Sequence, residues 1–244
     1  MTQIIAELGT LHLSSYDNAM NAVKECYDAG ADMIKLQMIK SETAYWATRE
    51  QRDRYKKLEW TIKRWAQFFE EANILSDDKT FASVFDISYL HPDILENMPA
   101  LKLGHKARVM RELVTHTFAI SEAFNKKLFV SIENMEEWLE FYADMNVLKE
   151  IAPEYLHVIP KYPTKENDFY LPGCGDKILG FYSGYSLHTN EGRHLHAALA
   201  MNPKYIEVHV QGSKGAEGKD TEFALNIDQL KRLISARNEF VKKK

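Results

Sequence analysis

Short apolar runs alternate with longer amphipathic stretches along the whole chain, and this alternation constrains the fold more than any other feature. Each run has the length and the continuous apolar character of a strand buried on both faces. The runs are Ile4–Leu8, Met33–Met38, Thr80–Phe85, Ala100–Gly104, Lys127–Ile132, Tyr155–Pro160, a part of Ile178–Ser186, and Tyr205–Val210. Eight such strands with helices between them predict an α/β protein, a (β/α)8 TIM barrel.

The stretches between the runs carry helical patterns. After the first run, apolar side chains recur at i, i+3, i+4, i+7 and i+8 from Ala19, and Gly30 follows where a C-cap glycine is expected. A long helix is expected from about Glu50 to Asn73, and a last one from Asn226 to about Lys242. A doubly wound open sheet shows the same alternation, but no GxGxxG turn follows an early strand. The sequence therefore predicts one barrel domain over residues 1–244.

Composition and charge exclude several classes of partner. The chain has 244 residues and a formal net charge of −4, so it lacks the basic surface of a nucleic-acid-binding protein. No apolar window reaches the length of a membrane span, and the first residues are interpreted as a strand instead of a signal peptide. Cys26 and Cys174 have no metal-binding spacing, and we expect reduced thiols instead of a disulfide. These features predict a cytoplasmic protein with no membrane or nucleic acid partner.

Polar residues stand at the carboxyl end of nearly every predicted strand, which in a TIM barrel is the mouth where catalysis takes place. They are Glu7, Lys35 with Gln37, Ser83, Lys102, Ser131, Tyr162, Ser186 with His188, and His209. Lys35 and Lys102 lie within apolar strands, where an ammonium group is costly unless an anion pairs with it. They predict a cationic floor for a phosphate or carboxylate. The alternative is that each amine extends to solvent along the strand surface.

Two histidines, His188 and His209, end the last two predicted strands, which are neighbours in a closed barrel. Two imidazoles there fit a divalent metal site with open positions for water and substrate. An ordinary pair of hydrogen-bonded core histidines fits the same positions equally well. His194 and His196 are two residues apart on a predicted helix, so they point to different sides, and we interpret both as structural.

Two blocks at opposite ends of the chain carry a family pattern. The segment IIAELGTLHLSSYDNAMNAVKECYDAGADMIKLQ resembles the opening of the N-acetylneuraminate (sialic acid) synthase family, typically IIAEIGxNHxG, then a helix, then AGADxVKxQ. Further on, YPTKENDFYLP, GYSLHTNEG, IEVHVQ and GKDTEFALNIDQLKRLI resemble that family's YPTP, GYSDHTxG, IExHFT and GPDHxxSxxPxEF. FASVFD, LKLG and FVSIENM are weaker matches in the right order, so the resemblance covers nearly the whole chain.

The resemblance implies a carbon–carbon bond-forming transferase. Such an enzyme condenses phosphoenolpyruvate with a sugar or aminosugar aldehyde to give a 2-keto-3-deoxy nonulosonate-like sugar acid and phosphate. By resemblance, catalytic roles fall to Glu7, Tyr162 and Asp220, substrate binding to Lys35, Gln37, Lys102, Ser131 and Ser186, and a divalent metal, Mn²⁺ or Mg²⁺, to His188 and His209. A homodimer is implied in the same way.

Several positions depart from the family pattern. Leu11 replaces the asparagine of NHxG, although His12 is kept; His105 and Ala107 replace the serine and the acid of KIxSGE; Val84 replaces a threonine and Pro160 an asparagine. Three of these changes remove phosphate or carboxylate contacts, and His105 with Lys106 is a candidate to restore positive charge there. The family's antifreeze-like C-terminal domain has no counterpart in these residues, so we expect the acceptor sugar to differ or to be held differently.

Three functions are compatible with these observations. The first is a synthase that uses phosphoenolpyruvate, and the second is a metal-dependent barrel aldolase or isomerase acting on another anionic substrate. Phosphate release from phosphoenolpyruvate separates these two. The third is a non-catalytic relative that binds a ligand or a partner, which predicts no metal-dependent turnover.

Overall fold

The alternation of strands and helices is that of a (β/α)8 barrel. We describe residues 1–141, 152–173 and 182–242 of a computed structural model. In these ranges the strands are β1 (Gln3–Gly9), β2 (Met33–Met38), β3 (Thr80–Val84), β4 (Ala100–Leu103), β5 (Lys127–Ile132), β6 (Glu154–Val158), β7 (Gly184–Leu187) and β8 (Tyr205–His209). They follow one another around a closed barrel in chain order. The predicted fold class is confirmed, and the ends of the strands lie within two residues of those predicted for β1 to β6 and β8.

Some sequence predictions fall on residues outside the described ranges. The seventh strand was expected within Ile178–Ser186, of which residues 178–181 are not described. Cys174 is also outside these ranges, so its expected reduced thiol stays a prediction. Cys26 is a buried free thiol, and burial raises its pKa.

The helices are α1 (Tyr16–Asp28), α2 (Arg49–Leu58), α3 (Ile62–Ser76), α4 (Pro92–Leu95), α5 (Arg111–Ala123), α6 (Met135–Phe141), α7 (Gly192–Ala200) and α8 (Ile227–Lys242). The expected continuous helix from Glu50 to Asn73 is wrong, because Glu59 has an extended backbone (φ −67°, ψ 127°). Thr61 then starts a new helix by accepting a hydrogen bond from the Arg64 backbone N–H at 3.2 Å. Among the described helices, none combines the length and the apolar character that a membrane crossing requires.

The chain divides into two compact units. One, the terminal unit, comprises Met1–Lys35 and Tyr155–Lys244, and the other, the central unit, comprises Leu36–Glu154. In the terminal unit β1 pairs with β8, and β7 pairs with both β6 and β8. A side chain at Gly184 would place its Cβ 2.0 Å from the Tyr205 carbonyl oxygen, so this strand contact needs a glycine.

A buried polar link joins the last helix of the terminal unit to its first strand. The Arg237 guanidinium donates to the Asp32 carboxylate and, at 3.3 Å, to the Thr2 carbonyl oxygen. The same carboxylate accepts from the Ile4 backbone N–H at 2.8 Å. Arg237 is buried, so its charge depends on these acceptors for compensation.

In the central unit β4 pairs with β3 on one side and with β5 on the other. An aromatic cluster fills the space between α3 and the neighbouring loops, and it contains Trp60, Trp65, Phe68, Phe69 and Tyr89. Asn73 of α3 is also buried, and both polar atoms of its side-chain amide form hydrogen bonds with the first residue of β3. Its Oδ1 accepts from the Thr80 N–H at 2.7 Å, and its Nδ2 donates to the Thr80 carbonyl at 2.9 Å.

Replacing Arg237 by methionine should lower the free energy of unfolding by about 2 kcal/mol, because the Asp32 carboxylate and the Thr2 carbonyl lose a charged partner. Urea denaturation measures this change. Arg232→Met, on the exposed side of the same helix, is the matched control and should stay within about 0.5 kcal/mol of the parent. Equal losses in the two variants would show that the buried link contributes nothing.

Asn73→Leu should cost about 2–3 kcal/mol in the same measurement, because it leaves the buried Thr80 N–H and carbonyl without their partners. Gln67→Leu changes an exposed amide on the same helix, whose bond to Glu71 lies at the surface, and should cost little. A parental stability for Asn73→Leu would contradict the role assigned to this amide.

Candidate active site

Strand register in the terminal unit places polar side chains next to one another. Glu7 on β1 is the Cα partner of His209 on β8, and Ser186 on β7 is the Cα partner of Glu207 on β8. All four side chains are at least 95% buried. Since neighbouring residues of parallel strands point to the same face, the register groups these side chains into one cluster.

Lys35, the last residue of the terminal unit's first segment, enters this cluster. Its ammonium contacts the Glu7 carboxylate closely and lies 3.7 Å from Glu207 Oε2. The side chain is only 2% exposed, so the alternative that the amine extends to solvent is wrong. An anion does pair with Lys35, as its strand position requires, but the anions are two carboxylates of the chain itself.

Glu207 is the functional candidate that sequence reasoning missed. Its Oε1 accepts a hydrogen bond from Ser186 Oγ at 2.8 Å, and its Oε2 faces Lys35. The signal was present, because a glutamate within the apolar run YIEVHV is as costly as a lysine within MIKLQM. The four residues Glu7, Lys35, Ser186 and Glu207 are hereafter called the buried ion cluster.

Beside the buried ion cluster, His188 and His209 lie with ring centroids 5.3 Å apart. Both are buried, at 5% and 4% exposure. His188 Nδ1 lies 3.0 Å from the Ile159 carbonyl oxygen, and since a carbonyl only accepts, Nδ1 carries the proton. In the neutral ring the lone pair is then on Nε2, which is the form in which an imidazole binds a metal.

Three further side chains surround the histidine pair. The Tyr162 ring is 4.1 Å from the His188 ring, centroid to centroid, and Tyr162 is 42% exposed. Asp220 Oδ2 lies 3.6 Å from His209 Nδ1. Phe223, which the sequence did not single out, packs its ring on His209 at 4.9 Å and on His188 at 5.8 Å. The terminal unit thus brings Tyr162 and Asp220 to the pair, as the resemblance implied.

The loop after β6 fixes the position of His188. The Thr164 N–H donates to the His188 carbonyl at 2.8 Å.

His194, at the start of α7, has Nε2 3.1 Å from Glu166 Oε2 and Nδ1 3.1 Å from Thr189 Oγ1. His194 is buried and His196 is exposed, so the prediction that they face different sides is confirmed.

In the central unit the predicted substrate-binding residues lie on β2, β4 and β5. Gln37 is partly buried, whereas Lys102 and Ser131 are each 2% exposed. Lys102 is the Cα partner of Ser83 on β3. Within the described residues, Ser131 Oγ is buried and has no hydrogen-bond partner. A buried hydroxyl in that state is a natural contact for a bound ligand.

His105 does not supply the positive charge that the sequence suggested. Burial lowers its pKa to about 4, and the charges of Arg108 and Lys106 act in the same direction. The imidazole is therefore neutral at pH 7. Nearby, Gly104 has no room for a side chain, because a Cβ there would lie 2.7 Å from the Phe85 ring.

Few of the described side chains are placed to act as metal ligands. Across residues 1–141, 152–173 and 182–242, no three His, Cys, Asp or Glu side chains are grouped closely enough to share an ion. What the terminal unit offers is a pair of buried imidazoles, one of them in the correct tautomer. Two imidazole ligands leave the remaining coordination positions of a divalent ion to water and substrate.

Comparison with known proteins identifies the family. The NeuB family profile matches residues 22–243. The N,N'-diacetyllegionaminic acid synthase of Campylobacter jejuni is 27% identical over 253 residues, which cover 96% of this chain and 75% of that enzyme. The pseudaminic acid synthase of the same species is 23% identical over 264 residues, covering 96% and 72%. An uncharacterized protein of Methanocaldococcus jannaschii is 26% identical over 241 residues, covering 96% and 69%.

A solved structure agrees with the fold. The N-acetylneuraminic acid synthetase of Leptospira borgpetersenii, in complex with citrate, superposes with a TM-score of 0.79 at 22% identity, covering 99% of this chain and 84% of that one. This likeness shows the barrel fold, and the profile match over nearly the whole sequence shows the lineage. The chain belongs to the NeuB family of carbon–carbon bond-forming synthases.

Proposed function

We propose that the chain condenses phosphoenolpyruvate with a sugar or aminosugar aldehyde, giving a 2-keto-3-deoxy nonulosonate-like sugar acid and phosphate. The named relatives are synthases of such acids. The observation that carries the proposal is that the histidine pair lies at the ends of strands that carry the buried ion cluster, with Glu7 and His209 as Cα partners in register. The acceptor sugar, a location in the cytoplasm and a homodimer stay predictions.

The charge of the buried ion cluster bears on how an anionic donor is held. Glu7 and Glu207 as carboxylates and Lys35 as an ammonium have a negative formal sum. A phosphoenolpyruvate anion placed beside them needs further positive charge. We assign this neutralisation to Lys102 and to a divalent metal held by His188 and His209. When bound, the metal polarises the acceptor carbonyl for attack.

The remaining steps are assigned to side chains. By the family resemblance, we assign binding of the donor's carboxylate and phosphate to Lys35, Lys102, Ser131 and Ser186, and substrate binding to Gln37. The enol carbon bonds to the aldehyde carbon, water adds to the former enol C2, and the C2–O bond to phosphate breaks. Glu7, Tyr162 and Asp220 handle the protons of the water and of the new hydroxyl group. Atoms balance, with water consumed and phosphate released.

Removing the histidine pair tests this assignment. Phosphate release from phosphoenolpyruvate is measured with a panel of aminosugars and with Mn²⁺, Mg²⁺ or a chelator. His188→Ala and His209→Ala should lower kcat/KM at least about 100-fold, because several kcal/mol of charge stabilisation are lost. His196→Ala, an exposed histidine on α7, should leave it unchanged.

The competing functions give different results in the same assay. A parental enzyme that releases no phosphate with any aldehyde would favour an aldolase or isomerase, or a non-catalytic relative. Turnover that continues in the chelator, or in His209→Ala, would remove the metal site from the proposal.

Lys35→Met should weaken phosphoenolpyruvate binding at least about 100-fold in calorimetry, because the cation between the two carboxylates is lost and their repulsion of the donor remains. Lys35→Arg keeps the charge and should bind the donor more tightly than Lys35→Met. Lys24→Met, whose amine pairs with Asp28 at the surface, is the control. Donor binding that survives Lys35→Met in a folded protein would show that Lys35 is structural only.

A further inference from the structure

His12 is buried in the loop between β1 and α1, and the functional assignments above do not use it. It is 1% exposed. Its Nδ1 lies 3.1 Å from the Lys214 carbonyl oxygen, and its Nε2 accepts from the Gly212 backbone N–H at 3.1 Å. Both partners are about 200 positions away in sequence, in the segment that follows β8.

These two bonds fix the tautomer of His12. A carbonyl oxygen accepts only and a backbone N–H donates only, so Nδ1 carries the proton and Nε2 the lone pair. Burial lowers the pKa of His12, against smaller opposing effects of the Lys214 bond and of Glu25, and so supports the neutral ring. Neither nitrogen is left for solvent, so the ring works as a connector between two loops.

Residues 211–218, hereafter the β8 segment, lie against the first helix and its preceding loop. The Ser213 N–H donates to Glu25 at 2.7 Å, and the Glu217 N–H donates to the Leu11 carbonyl at 2.9 Å. Gly215 has φ +70°, and a Cβ there would lie 2.1 Å from Asn18 Nδ2. The segment is therefore packed too closely on α1 to accept a larger residue at this point.

The β8 segment connects His209 to Asp220, and the proposed chemistry requires these two side chains to be close together. It starts after His209 and ends before Asp220, whose carboxylate lies 3.6 Å from His209 Nδ1. The ends of the excursion are closed by Leu225, which donates to the His209 carbonyl and accepts from the Gln211 N–H, each at 2.8 Å. When the two ends of a loop are held close together, the conformation of its middle still depends on contacts with the rest of the protein.

We infer that His12 is a positioning residue that holds the β8 segment against α1 and thereby keeps Asp220 beside His209. Glu25 adds a more exposed side-chain tie at Ser213, and the Leu11 carbonyl adds a backbone tie at Glu217, so His12 is the buried one of the two side-chain ties. The inference rests on the proposed function for its kinetic consequence. Its structural part, the tie itself, stands on the contacts of His12 alone.

Amide hydrogen exchange measured by NMR tests the tie directly. In His12→Leu the Gly212 amide loses its acceptor, and its exchange should become about 10- to 100-fold faster. The Ala224 amide, which donates to the Asp220 carbonyl at 2.9 Å, should also exchange faster because Asp220 is released. His12→Gln should restore protection of Gly212 in part, since its amide oxygen can accept from that N–H. His116→Leu, an exposed histidine on α5, should change neither amide.

Kinetics provide the second readout. In phosphate release, His12→Leu should lower kcat about 10-fold and leave KM for phosphoenolpyruvate unchanged, because the buried ion cluster is not altered. If His12→Leu does not fold, His12→Asn replaces it, since asparagine lacks an acceptor that reaches Gly212.

Protection of Gly212 that is unchanged in His12→Leu would overturn the inference, as would unchanged Ala224 exchange together with unchanged kcat. A parental protein without phosphate release would defeat the proposed function instead. The exchange rates of Gly212 and Ala224 would then still decide whether His12 holds the segment.

Discussion

A buried ammonium between two carboxylates is the constraint on which the terminal unit depends. Lys35 is 2% exposed and faces both Glu7 and Glu207, so its charge is compensated by protein and not by water. Removing Lys35 leaves two buried carboxylates without their cation, which is far more costly than the pairing is favourable. The cluster therefore holds its own geometry, and with it the register that sets Glu7 beside His209. Preorganisation of this kind suits a site that must receive charge without rearranging.

The sequence predicted the positions of the strands well, but it predicted the side-chain contacts between strands only in part. Continuous apolar runs that alternate with helices predict a parallel sheet covered on both faces, and their number together with the lack of a GxGxxG turn favoured the barrel over a doubly wound sheet. That Lys35 needs an anion also follows from its strand. Which anion it meets depends on strand register, and Glu207 was overlooked because the argument applied to lysine in an apolar strand was not applied to glutamate. The expected helix over Glu50–Asn73 failed because a local capping bond at Thr61 restarts the helix there.

Loop contacts were beyond the reach of sequence patterns. His12 bonds residues about 200 positions away, and nothing periodic links the two stretches. His12 matches the family pattern, but the sequence analysis assigned no role to it. Only the tertiary structure shows that its two ring nitrogens face one backbone carbonyl and one backbone amide. Strands are predictable because their apolar residues recur in a regular pattern. The conformation of a loop depends instead on which individual backbone groups need hydrogen-bond partners, and no sequence period reveals these.

The departures from the family pattern fall on both units. Val84, His105 and Ala107 belong to the central unit, whereas Leu11 and Pro160 belong to the terminal unit, which keeps the histidine pair and the buried ion cluster. His105 is neutral, because burial and the neighbouring Lys106 and Arg108 lower its pKa to about 4. A neutral imidazole still donates one hydrogen bond, as the serine hydroxyl it replaces would. The substitution therefore exchanges one neutral hydrogen-bond donor for another of larger reach and adds no positive charge at this position.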